Sequence, residues 1–513
     1  MSTIVRNILA WQAETPDEPA LIQAGNEPLS ITYTTLLHII EDFGQQLQSA
    51  GIGKGSMICL ALPNSPNFVV TFLSAIAIGA TVAPLNLALK QTEIQFLLDD
   101  FEVDLVIGPE DLSVEGSSEL AKALVSGPFA SSRCYWDGKK AVLDILRSGR
   151  SDSLTDAGFD AEGDDNIALV LHTSGTTGRP KGVPLQASNL LASANNVVEA
   201  YSLKPEDRSV LIMPLFHIHG IVAGLLAPLL SGSCVVFPEK GNLNPAFWQD
   251  FVEHRATWWT ATPTHQKILL SFPPPPAETK IRFVRSCSSP LSPVVLRQLE
   301  KTFHAPVLEA YAMTENAHHI STNPQKGSRK PGTVGLPCAS IDLRIIDDDG
   351  GFLGVDERGE VAIRGPSVMH GYRHNPDANA KAFTHDGYFR TGDQGLLDRD
   401  GYLQLTGRIK ELVNKGGEKI SANEIDNVIL EHESISEAVA FAIPDDMYGE
   451  DVGAAVVLRE GCKLTPASLR EWLRAQIANF KVPSKIWVVD SIPKTATGKV
   501  QRLTVAKTML EKQ

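Results

Sequence analysis

Cysteine is scarce: six in 513 residues, at positions 59, 134, 234, 287, 338 and 462, with no pair in CxxC spacing. That scatter excludes a disulfide framework and a cysteine zinc site, and is read as reduced thiols. Basic residues are in deficit, 46 Lys+Arg against 60 Asp+Glu for a formal charge of −14. The deficit argues against nucleic acid or an anionic membrane as the main partner. The first twenty residues lack an apolar h-region, carrying Glu14, Asp17 and Glu18 instead, so no secretory signal is visible. The ending Glu511-Lys512-Gln513 is not an SKL-type address, which makes the cytoplasm the expected location. Unbroken apolar runs are missing as well. Residues 68–89 carry no charge, but Gly79 and Pro84 divide them into a core helix and a buried strand near Ala80 to Ala83. Residues 218–237 are interrupted in the same way by His219, Pro228, Ser231 and Gly232.

What is present is an ordinary globular composition, 43% hydrophobic and 21% charged. Up to about residue 335, helix-length apolar segments alternate with β-branched runs such as 57–62, 167–171 and 234–237, which predicts an α/β fold with helices flanking sheets. The prolines 273–276 mark a surface loop. After 335 the texture changes to short strands punctuated by Asp349-Gly350, Asp386-Gly387 and Asp400-Gly401, the signals of hairpins in a small β subdomain. Beyond Gly407-Arg408 the chain reads as a compact α+β unit. Ser421-Ala-Asn-Glu424 is a capping box ahead of Ile425, Val428 and Ile429, and Thr465-Pro466 opens a second helix that buries Leu469, Trp472 and Leu473. The expected division is an N-terminal core over 1–406, its β subdomain at about 336–406, and a C-terminal lid domain over 407–513.

The most informative string is Thr173-Ser-Gly-Thr-Thr-Gly-Arg-Pro-Lys-Gly182, directly after a predicted strand. Its hydroxyls, glycines and lysine suit a loop that wraps a polyphosphate. It is not a Walker A loop, because Pro180 precedes Lys181 and Gly182 follows it. The string resembles the phosphate loop of the adenylate-forming superfamily, which includes acyl-CoA synthetases, firefly luciferase and peptide-synthetase adenylation domains. Further blocks follow in the family's order: Tyr311-Ala-Met-Thr-Glu315, Tyr388-Phe-Arg-Thr-Gly-Asp393, Gly407-Arg-Ile-Lys410 and Pro493-Lys-Thr-Ala-Thr-Gly-Lys499.

The resemblance implies an ATP-dependent acid–CoA ligase that joins a carboxylate to AMP, releases pyrophosphate, and passes the acyl group to coenzyme A. It implies that Thr173, Ser174, Gly175, Thr176, Thr177, Gly178 and Lys181 cradle the β- and γ-phosphates. Glu315 is placed as the Mg2+ ligand, Thr314 as an α-phosphate donor and Tyr311 against adenine, with Asp393 and Arg408 near the ribose. Lys499 matches the adenylation lysine and Lys410 the hinge, while Gly416, Gly417 and Glu418 border the pantetheine path. Asn414 and Lys419 depart from the aryl-CoA ligase pattern, which carries lysine and glutamine there.

For the acid itself, His217, Ser288, Ser289 and His318 are the candidate contacts. Histidine and serine donors suit a short acid with a second polar end rather than a fatty acid. No carboxylate or cysteine accompanies the histidines at ligand spacing, so they are read as substrate contacts, with satisfied core histidines as the alternative. The strings Arg282-Phe-Val-Arg-Ser-Cys-Ser-Ser-Pro-Leu291, Glu309-Ala-Tyr-Ala-Met-Thr-Glu315 and Asn414-Lys-Gly-Gly-Glu-Lys-Ile-Ser421 resemble the oxalate–CoA ligases of plants and fungi. A ligase for another short or aryl acid is the alternative, and a non-catalytic or carrier-loading adenylate former the alternative of another class.

Overall fold

The computed structural model describes residues 1–113, 116–137, 139–147, 166–173, 180–239, 243–495 and 498–511. The uncharged stretch after the strand Met57–Leu60 becomes the helix Pro66–Ala77, started by Ser65, whose hydroxyl accepts from the Phe68 N–H, and then the strand Thr81–Pro84. That helix is buried on every side from Phe68 to Ile76, as an apolar helix without a polar face must be. The second stretch winds as π-helical turns over His219–Leu226 and α-helical turns over Ala227–Leu230 before the strand Cys234–Phe237. Among the described residues no helix is long and apolar enough to cross a membrane.

Two mixed sheets dominate. One has seven strands in the order Ala141–Arg147, Ala130–Trp136, Leu105–Gly108, Met57–Leu60, Thr81–Pro84, Ile167–Thr173 and Lys181–Gln186. The other has nine, and at its centre Cys234–Phe237, Arg208–Val210, Trp258–Ala261, Phe283–Ser286 and Val307–Met313 run parallel. Parallel neighbours gather their carboxyl-end loops on one side, where open α/β sheets hold ligands. One continuous apolar cluster runs from Ile58 and Leu105 of the first sheet to Phe283 and Leu308 of the second, and on to Val361 and Leu403, while the other faces of the two sheets carry clusters of their own.

The stretch rich in Asp-Gly pairs forms a four-stranded antiparallel sheet of Asp342–Ile346, Gly359–Arg364, Phe389–Leu397 and Leu403–Arg408. Gly350, Gly387 and Gly401 sit at its turns with φ of +91°, +80° and +82°. The remaining chain packs the hairpin Val413–Lys415/Glu418–Ile420, the long pair Ile435–Asp445/Gly449–Leu458 and the strand Lys485–Val488 into a five-stranded sheet. Helices Ala422–Ile429 and Pro466–Arg474 close on it, capped by Ser421 and Thr465 as their sequences predict. The core of this unit, including Val413, Ile425 and Leu473, is a cluster of its own.

Candidate active site

A cavity of about 290 Å3 opens between the carboxyl ends of the nine-stranded sheet and the last unit of the chain, with Ser288, Ser289, Tyr311, Asp393, Arg408 and Lys499 on its walls. Strand register puts Asp393 beside Arg408, and the Arg408 Nε lies 2.7 Å from Asp393 Oδ1. Tyr311 donates its hydroxyl to Asp393 Oδ2 at 2.5 Å. Burial raises the pKa of Asp393 while Arg408 and Tyr311 oppose that rise, so the carboxylate is held among groups that favour its charge.

Lys499 arrives from the opposite wall. Thr495 accepts from its backbone N–H at 3.1 Å, and the Thr264 hydroxyl donates to the carbonyl of Gly498 at 2.6 Å, pinning the loop to the helix Pro263–Ser271. Gly498 has φ +77°, and a Cβ there would fall 2.6 Å from the Thr264 Cβ, so this approach needs glycine. The ammonium keeps accessible surface but stands inside the cavity, where desolvation and then Arg408 pull its pKa below the ordinary lysine value.

Glu315 lies in a 3-10 turn, Thr314–Asn316, after the strand that carries Tyr311. It is buried, accepts at Oε1 from the Tyr372 hydroxyl at 3.0 Å, and has its pKa raised by that burial. Thr314 beside it is half-buried. Among the described residues no cluster of three or more His, Cys, Asp or Glu could hold a metal by itself. One buried carboxylate fits Mg2+, which takes one or two carboxylates plus phosphate oxygens and waters. Lys181 sits 4.4 Å above the ring of the same Tyr372, and Thr173 pairs with Lys181 in the strand ladder. The expected loop residues Ser174, Gly175, Thr176, Thr177 and Gly178 lie outside the described residues.

The acyl candidates separate into two layers. Ser288 and Ser289 line the cavity, and the Ser288 hydroxyl lies 2.9 Å from His219 Nδ1. His217 keeps accessible surface, and desolvation together with Lys499 pushes its imidazole down to about 4. His318, expected at the substrate, is 1% exposed and sits a layer behind, stacked 5.0 Å from the His219 ring and bonded to Arg285. Lys410 is exposed in the 3-10 turn Ile409–Glu411, and Gly416, Gly417 and Glu418 form the tip of a hairpin that does not line the cavity.

Sequence reasoning passed over three residues that the structure brings here. Arg285 is buried behind Ser288, Thr264 anchors the Lys499 loop, and Glu309 lines the cavity with Oε1 accepting from Leu291 N–H and Oε2 without a partner among the described residues. For Arg285 the available signal was a charged residue inside an apolar strand-like run, Phe283-Val-Arg-Ser286.

The family model described as AMP-binding enzyme matches residues 9–373, and that of its C-terminal domain matches residues 424–499. The chain belongs to this family. It is 43% identical over 505 residues to an oxalate–CoA ligase of Arabidopsis thaliana, covering 97% of this chain and 96% of that protein. To the oxalate–CoA ligase of Saccharomyces cerevisiae it is 41% identical, covering 93% and 92%. Its fold superposes on ATP-bound MatB from Rhodopseudomonas palustris with a TM-score of 0.86 at 28% identity, covering 99% of both chains.

Proposed function

We propose that the chain is an AMP-forming oxalate–CoA ligase. The observation that carries the reading is the convergence of Lys499 with the Tyr311–Asp393–Arg408 group and the Ser288 wall in one cavity. Its kinship with enzymes named for oxalate supports that choice of acid. In the first half-reaction a carboxylate oxygen of oxalate attacks the α-phosphorus of ATP, the bond to the bridging oxygen breaks, and pyrophosphate leaves. Lys499 offers its ammonium to the attacking carboxylate and the α-phosphate, where negative charge concentrates in the transition state. Asp393 accepts from the ribose hydroxyls, Arg408 holds Asp393 in place, and Tyr311 stacks against the adenine. Thr314 and the 173–181 loop supply donors to the phosphates. Glu315 would hold Mg2+, which when bound would supply neutralisation of phosphate charge.

In the second half-reaction the CoA thiolate attacks the acyl carbon and AMP leaves. Gly498 and Lys499 line the cavity that the thiol must reach, while Gly416, Gly417 and Glu418 stand away from it, which supports a rotation of 407–513 about Lys410 that brings those three to the pantetheine. The deciding experiment measures pyrophosphate release and thioester formation with oxalate, malonate, acetate, coumarate and octanoate, each with and without CoA. Oxalate should give the highest kcat/KM, and preference for coumarate or octanoate overturns the choice of acid while leaving the ligase reading intact.

A further inference from the structure

Arg285 is 0% exposed, and no carboxylate among the described residues pairs with it. Its donors go to neutral groups. Nε reaches the Tyr201 hydroxyl at 3.0 Å, Nη1 reaches Thr260 Oγ1 at 3.0 Å and His219 Nε2 at 3.2 Å, and Nη2 reaches His318 Nε2 at 3.0 Å and His319 Nδ1 at 3.1 Å. A buried cation left without a counter-ion is unfavourable, and an anion arriving nearby relieves it.

A guanidinium only donates, so each ring nitrogen facing it must present a lone pair. His219 therefore carries its proton on Nδ1, and the Thr260 hydroxyl, which accepts from Nη1, donates to His219 Nε2 at 2.6 Å. Burial, and Arg285 after it, hold all three imidazoles well below their ordinary pKa, which keeps them neutral. The Nδ1–H of His219 points to Ser288 Oγ at 2.9 Å, which must accept it. The serine proton is then left to point into the cavity that Ser288 lines. Ser288 is held at φ +73°, a left-handed conformation that a serine rarely adopts and that persists where its surroundings over-determine it.

We propose that Arg285 is a positioning residue for acid selection: through His219 it fixes Ser288 as a hydrogen-bond donor aimed at the second carboxylate of a small dicarboxylic substrate. The inference rests on the oxalate reading and deepens it. Arg285 touches no substrate itself; it supplies positive potential and a fixed tautomer one layer behind the cavity wall.

The test compares kcat and KM for oxalate and for acetate, which lacks the second charge, in wild type, Ser288→Ala, His219→Leu, His219→Asn and Arg285→Met, with melting temperatures measured alongside. Ser288→Ala and His219→Leu should raise the oxalate KM about tenfold to a hundredfold, the loss expected when a charge loses a donor, with a smaller change in kcat. The loss on oxalate should exceed the loss on acetate by about tenfold. His219→Asn restores an N–H near the Nδ1 position and should recover most of the oxalate KM. If Arg285→Met does not fold, the serine and histidine variants still decide. Normal oxalate KM in His219→Leu, or equal losses on both acids, overturns the relay alone. Wild-type inactivity toward both oxalate and malonate overturns the relay together with the choice of acid.

Discussion

Lys499 and Glu309 make opposite demands on protonation. In the proposed reaction Lys499 must stay charged to meet the α-phosphate, although desolvation lowers its pKa. Lys499→Ala should slow pyrophosphate release by about 10²–10³, the usual effect of deleting a donor aimed at developing charge, while a supplied acyl-adenylate still reacts with CoA. Equal loss in both half-reactions, measured separately, would contradict that assignment. Glu309 is pushed by burial from 4.5 up to about 8. Its folded-state value lies above its unfolded one, so its contribution to stability is complete below about pH 4.5 and is lost as pH rises toward 8. The loss amounts to several kcal/mol, at about 1.4 kcal/mol per unit. Glu309→Gln cannot ionise, so its melting temperature should match wild type near about pH 5 and exceed it near about pH 8.5. A constant difference across that range would show that Glu309 does not take up a proton on folding.

Helix starts and turns are encoded locally, and these were readable. Ser421 accepts from the Glu424 N–H at 3.1 Å and also donates to the carbonyl of Thr406 in the preceding sheet. Ser421→Ala should therefore destabilise by about 1 kcal/mol or more, seen as a lower midpoint in urea unfolding. The Asp-Gly turns and both capped helices appear where their residue types predict, because each depends on neighbours within about four positions. Arg285 could not be read this way. Its meaning depends on Trp258–Ala261, His318–Thr322 and the π turns at His219 meeting around it, and those segments are brought together only by sheet order. The same fact moved His318 from the expected cavity wall to the layer behind it. Position in the family pattern located the neighbourhood, but not which side chain would face inward.

Across the whole molecule, the cavity joins walls from three of the four sheets through Tyr311, Asp393 and Val439, with Lys499 on a loop beside them. A ligand that touches all of them should stabilise the chain as a unit. At about a hundredfold excess over its Kd, ATP with Mg2+ contributes about 2.7 kcal/mol, and the thermal midpoint should rise accordingly. Excess chelator should remove most of that rise, and an unchanged shift would take Glu315 out of its proposed role. The Thr264 contact on Gly498 has a consequence in time. A single hydrogen bond contributes about 1 kcal/mol, so it alters the ratio of docked to released lid by only about fivefold. In the proposed rotation this bond, one of several contacts that the last unit makes, does not by itself keep the lid docked once pyrophosphate has left. In the proposed cycle Thr264 thus serves as an escapement, firm enough to help hold the 407–513 unit for one adenylation and loose enough not to delay the thiol.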